Sequence, residues 1–307
     1  MITILGKIEL PENNRKKREV DPALEKLRTR QDIDRLLTES AAYWSNRANE
    51  RFAGCREGKA PLLDHGGSIM ESSFADVYDQ ETVDFDTENV FQQKRGFYNT
   101  YKKEVQEKYG TSDEREIVSR IEQESRTRDG ALAESMLFVL LSKGLPDRYM
   151  VVRSSAHDDY INGADMLLLD TETGSVICAF DDTVEGHQSR LDHKVMRAKK
   201  KLTQGRGVPV KYGISITQRN NEPHMYRGVL RDVPPLFLAV AKKELEHIMH
   251  TSAITGNTLD NAEKNFLQKI IQSAEGLIDD LEDASTARVS YDAVRTFVAN
   301  TKAHLAQ

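Results

Sequence analysis

An α/β fold built on a mixed sheet is what this chain's hydrophobic pattern predicts, with a helical extension before it and helices after it. Three observations lead there. The middle of the chain alternates short apolar runs with helical-period segments. Two of those runs, Met166-Leu167-Leu168-Leu169 and Val176-Ile177-Cys178-Ala179-Phe180, flank the turn Asp170-Thr171-Glu172-Thr173-Gly174. Longer segments with helical spacing fill both ends. The pattern divides into a mainly helical region over 1–110, an α/β core over 111–252 and C-terminal helices over 253–307.

The first region opens with a short extended stretch and a basic tract, Asn13-Asn14-Arg15-Lys16-Lys17-Arg18. Asp21-Pro22 starts a helical segment through Leu24 and Leu27, and Ile33, Leu36, Leu37 and Ala41 continue helical spacing up to Trp44. Glycine and proline make 54–73 loop-like, and the acidic stretch 73–90 shows no clear period. Helical spacing resumes over Phe91 to Tyr109, through Phe97, Tyr98, Tyr101 and Val105.

The core begins at Thr111-Ser112-Asp113-Glu114, a helix-start signal followed by Ile117, Val118 and Ile121. A second helix runs from Asp129 to Lys143, stops at Gly144, and gives way to a strand at Tyr149-Met150-Val151-Val152. After the hairpin, Ser189 to Leu202 reads as a helix, Val210 to Thr217 as a strand, and Val233 to Val240 as a short apolar strand opened by prolines. Helices are predicted over 241–252, 259–282 and 287–304.

The 307 residues carry a net charge of −6, 38% hydrophobic and 30% charged side chains, which describes a soluble and rather polar protein. No apolar run nears the roughly 18 residues that span a bilayer. No signal-peptide pattern is visible, and Cys55 and Cys178 are too few for a disulfide framework. A cytoplasmic setting without membrane contact is the expectation. Charge is uneven: between Arg190 and Arg219 nine Lys or Arg face one acid, Asp192.

The hairpin carries the chemistry. Asp165 opens the first strand and Asp181 closes the second, so pairing brings together acids sixteen positions apart. An acid on an apolar strand is costly unless it is paired or bound to a cation. Two such acids suit a hard divalent ion. Glu134 is the third member, on the helix face shared with Leu137 and Leu141.

From these residues the chain resembles the PD-(D/E)XK nuclease superfamily. Glu134-Ser135-Met136-Leu137-Phe138-Val139-Leu140-Leu141-Ser142-Lys143-Gly144 is similar to its first helix, and Asp158 through Asp165 to its second motif. Cys178-Ala179-Phe180-Asp181-Asp182-Thr183 occupies the place of the (D/E)-x-K motif, with Thr183 where the family has Lys. The resemblance covers about residues 112–240 and implies a restriction-endonuclease-like core. It further implies hydrolysis of nucleic-acid phosphodiesters, DNA first among substrates. Mg²⁺ or Mn²⁺ would be held by Glu134, Asp165, Asp181 and the Asp182 carbonyl. Lys194 is the candidate to replace the missing lysine, and Arg190, Lys194, Arg197, Lys199, Lys200 and Lys201 are the candidate phosphate contacts. Threonine brings no charge, so a silent relative that binds nucleic acid or a protein is the alternative. A third reading is a helical interaction protein that self-associates through its last helices.

Other residues carry weaker signals. Asp159 reads as a further metal ligand or as a turn residue. His157 reads as a solvated loop side chain, and Glu185 and His187, just beyond the site, as structural or exposed. His247 and His250 lack the H-E-x-x-H pattern, and Ser154-Ser155 lacks G-x-S-x-G.

Overall fold

The computed structural model describes residues 28–55, 61–126, 128–185, 188–219, 222–285 and 289–307. The basic tract at 13–18 and the helical segment from Asp21 lie outside them. The chain is α/β, with a mixed four-stranded sheet and a separate two-stranded antiparallel ribbon.

Helix α1 (Arg30–Ala53) starts at Thr29, whose hydroxyl caps Asp32 N–H while the Asp32 carboxylate caps back. It buries Ile33, Leu37, Ala41, Ala48 and Phe52. Helix α2 (Gln80–Tyr109) is capped by Asp79 and closed by Gly110 in the left-handed region, φ 65°. Its start at Gln80 precedes the helical spacing read from Phe91, because Val83, Asp86 and Val90 are its buried positions there. Helix α3 (Glu114–Arg126) packs on α2 through Ile117 and Ile121.

Helix α4 (Asp129–Gly144) is apolar on every side from Met136 to Leu141, since it lies between α1 and the sheet. The sheet runs in the order β1 (Tyr149–Arg153), β2 (Met166–Asp170), β3 (Val176–Glu185), β6 (Pro235–Ala241). The first pairs are antiparallel, and β3 with β6 is parallel. Alternation feeds two cores. Val151, Met166, Leu168, Cys178 and Phe180 join the helices. Val152, Leu167, Leu169 and Ala179 instead join the ribbon and the 61–78 segment.

That ribbon is β4 (Val208–Arg219) with β5 (Glu222–Val233). Strand β5 has no counterpart in the sequence reading, because its partly exposed residues Met225 to Leu230 lack an apolar run. The ribbon docks on the hairpin at Gly174, where Ile216 N–H donates to the Gly174 carbonyl over 2.7 Å. Gly174 sits at φ 72°, and a Cβ there would meet the Ile216 oxygen at 1.8 Å.

Helix α5 (Gln188–Leu202) lies beside β3 and β6, followed by α6 (Lys242–Thr251), α7 (Asn261–Glu282) and α8 (Asp292–Leu305). The apolar stripe of α7 and α8, including Leu267, Ile271, Ile278, Val294 and Phe297, is buried in the main core. This stripe therefore packs inside the chain. Lys143 and Glu263, both with fully buried side chains, pair at 2.9 Å and tie α4 to α7. Among the described residues no helix is long and apolar enough to cross a membrane.

Candidate functional site

The register places Met166 opposite Phe180, so the next positions outward are Asp165 and Asp181. Asp165 N–H donates to the Phe180 carbonyl at 2.8 Å, and Asp182 N–H donates to the Asp165 carboxylate at 2.6 Å. Strand alternation then separates the two neighbours on β3. Asp181 pairs with Lys194 of α5, with Arg197 and Lys201 also in its field. Asp182 faces Asp165 and Glu134. This differs from the sequence expectation, in which Asp181 was the ligand and Asp182 supplied only its carbonyl. The Asp182 carbonyl accepts from Lys194 Nζ at 2.6 Å, while its carboxylate joins the acidic group.

Asp159 completes that group. It sits on a single π-helical turn, Asp158–Asn162, closed by Gly163 at φ 73°. Burial pushes the Asp159 carboxyl up to about 8, and the charges of Asp165 and Glu134 add to the shift. Burial likewise raises Asp165 to about 6, with Asp181 and Glu134 contributing. Asp182 is raised well above the ordinary carboxylate range by burial and then by Asp165 and Glu134. Each of these charges acts on the others, so the ionisation of one disfavours that of its neighbours.

The positive charge inside this group comes from Arg153, the last residue of β1, which forms an ion pair with Glu134. Sequence reasoning missed Arg153, since a strand-terminal arginine carries no motif. Asp182 Oδ2 and Arg153 Nε are buried without a hydrogen-bond partner. Burial raises the pKa of the Tyr160 hydroxyl, and the Asp159 and Glu134 charges raise it further.

A basic cleft of about 100 Å³ adjoins the acids. Asp181, Lys194, Arg197, Lys201 and Arg206 line it, together with Asn162, Gly163 and Phe237. Spacing on α5 explains the selection: Lys194, Arg197 and Lys201 share one helix face. Lys199 turns to Asp280 of α7 at 3.2 Å, and Lys200 is exposed outside the cleft lining. The Arg190 side chain lies outside the described residues. Arg206, in the turn after α5, belongs to the cleft and was not among the expected contacts. Thr183 lies in register with Ala239, on the strand face of Asp181.

The turn carrying Asp159 is held from behind. Asp158 is fully buried, and its carboxylate accepts from Lys211 N–H (2.7 Å), Tyr212 N–H (2.9 Å), Ser155 Oγ (3.0 Å) and Asn162 Nδ2 (2.7 Å). Asp86 of α2 accepts from Tyr212 OH at 2.7 Å and pairs with Lys211 Nζ at 2.5 Å. His157 is buried beside Asp86, with Nδ1 at 3.4 Å, so it is no solvated loop residue.

Glu134, Asp159, Asp165 and Asp182 offer only hard carboxylate oxygens, and the orphaned Asp182 Oδ2 is a donor atom without a donor partner. That set suits Mg²⁺ or Mn²⁺. Among the described residues, no group of three His, Cys, Asp or Glu stands ready to hold a metal ion. Glu134 is engaged by Arg153 and Asp165 by Asp182 N–H. No family model matches the chain, and neither a curated protein nor a solved structure matches it.

Proposed function

We propose that this protein is a divalent-metal-dependent nuclease with a restriction-endonuclease-like core, hydrolysing phosphodiester bonds in nucleic acid, DNA foremost. The observation that carries the reading is a mutually repelling carboxylate group, Glu134, Asp159, Asp165 and Asp182, set against a cleft of Lys194, Arg197, Lys201 and Arg206. Buried like charges are costly unless a cation or proton offsets them. A phosphate next to them needs the opposite field.

Glu134, Asp159, Asp165 and Asp182 would hold Mg²⁺ or Mn²⁺, with Asp181 at the boundary. Bound there, the ion supplies a water of lowered pKa and neutralises charge on the phosphoryl oxygens. Arg153, paired with Glu134, would keep a positive charge beside the ion and the phosphate. Arg197, Lys201 and Arg206 hold backbone phosphates without reading sequence. Lys194 brings the charge that Thr183 lacks, at the β3 carbonyl of Asp182. The commitment of Lys194 to Asp181 also favours the second reading, a nuclease-like fold that binds without cutting.

Cleavage of single- and double-stranded DNA and RNA with Mn²⁺ separates the readings. Cutting that is lost in Asp165→Asn and Asp182→Asn supports the nuclease. A folded wild type that binds but never cuts supports the silent binder. Cutting untouched by both substitutions places the chemistry elsewhere.

A further inference from the structure

The π-helical turn Asp158–Asn162 sends successive side chains in different directions. Asp158 is buried in the hydrogen bonds to β4, Asp159 enters the carboxylate group, and Asn162 borders the basic cleft. Between them Tyr160 and Ile161 point outward, 49% and 42% exposed. Both are about half covered, on a turn otherwise fixed by hydrogen bonds, and each leaves apolar surface open to solvent side by side with the other. Lys94 of α2 sets its ammonium 4.7 Å from the Tyr160 ring centroid. A cation over the ring both steadies it and adds a positive charge at the same edge.

This placement gives the rim one flat apolar ring between two charged surfaces. A nucleotide with one phosphate in the Lys194–Arg197–Lys201 cleft and the next at the carboxylates would turn its base toward that rim. Bases within a duplex already stack on each other and offer no free face. An unpaired base does.

We infer that Tyr160 is a base-stacking platform, with Lys94 beside it, and that the substrate is unpaired nucleic acid: a single strand, flap or frayed end. This rests on the nuclease-like reading of the adjoining site and names the substrate class for it. Loss of a stacking ring weakens single-strand binding by about ten- to a hundredfold.

The experiment measures fluorescence anisotropy of a labelled single-stranded oligonucleotide and of its duplex, with the full chain in Ca²⁺ buffer. Wild type is compared with Tyr160→Ala, Tyr160→Phe and Arg197→Ala/Lys201→Ala. The expected result is tighter binding of the single strand and a ten- to hundredfold loss in Tyr160→Ala for that probe alone. Tyr160→Phe retains binding, since the ring and not the hydroxyl stacks. A 2-aminopurine base in the strand is quenched by wild type and not by Tyr160→Ala. Wild-type affinity in Tyr160→Ala, with binding still lost in Arg197→Ala/Lys201→Ala, overturns the platform and leaves the nucleic-acid reading standing. A wild type that binds neither probe overturns both.

Discussion

Replacing Asp159 by Asn removes one negative charge from a group that resists carrying it, and the effect on folding has a definite sign with pH. The folded carboxyl holds its proton up to about 8, against 3.8 for an ordinary aspartate. Below about pH 4 it is protonated in both states and costs nothing. As pH rises through the interval, the unfolded chain ionises freely while the folded one does not, so stability falls. About four units at ~1.4 kcal/mol each set a ceiling near 6 kcal/mol at pH 8. Proton sharing with Asp165 and Asp182, and water entering the group, cut this to about 1–3 kcal/mol. At pH 5 only about one unit of the interval is crossed, and the effect falls to ~1 kcal/mol or less. Asn keeps the shape and can donate to Asp165. Urea unfolding in EDTA at pH 5 and pH 8 checks this. Asp159→Asn gains stability at pH 8, much less at pH 5, with an unchanged denaturant slope. The gain is bought with function: the variant loses Mn²⁺-induced stabilisation. An equal change at both pH values, or a loss at pH 8, would refute the placement of Asp159 in a buried repulsive group.

Other perturbations test separate parts. Lys143→Met strands the fully buried Glu263 charge and destabilises by about 3–5 kcal/mol; Lys143→Met/Glu263→Met recovers most of that in the same urea assay. Gly174→Ala costs more than ~1 kcal/mol, from the left-handed backbone and the collision with the Ile216 carbonyl, and thermal unfolding reads it directly. In nucleic-acid binding, Arg197→Ala/Lys201→Ala reduces the slope of log affinity against log salt by about two, while Lys200→Ala changes it by less than one; equal slopes would remove the cleft from phosphate binding. Lys194→Ala frees the Asp181 carboxylate and abolishes Mn²⁺-dependent cleavage, measured as single-turnover rate; an unchanged rate removes Lys194 from the mechanism.

Local patterns carried the hairpin into view. Continuous apolar runs and Gly174 announced β2 and β3, and pairing brought Asp165 to Asp181. The basic stripe of α5 was visible for the same reason, because its apolar residues Leu191, Ala198 and Leu202 mark the opposite face. Which neighbour on β3 joins the acids was harder. Asp181 and Asp182 differ only in the face they take, and that depends on the bulge at Leu168/Leu169 and on which helix covers each side. Asp159 had an ambiguous signal because a π-helical turn has no sequence period of its own. Arg153 and Asp86 are long-range partners of the site, and single-residue chemistry says nothing about what a strand end or a distant helix will touch. The start of α2 was hidden because its N-terminal half is held by few apolar contacts and by Asp86, a buried charge in a segment that otherwise looks solvated.

The Asp158 carboxylate reaches β4 through the amide groups of Lys211 and Tyr212, not through their side chains. That makes one part of the link blind to residue type. Almost any substitution at Lys211 would preserve the amide contact while cutting the tie to Asp86 on α2, and only proline would remove the amide itself. The position thus separates two duties within one residue. Its backbone sets where the turn carrying Asp159 stands, and its side chain helps to hold the long α2 helix against that turn. A library at this single codon would therefore vary the grip of α2 on the site while leaving the turn in place.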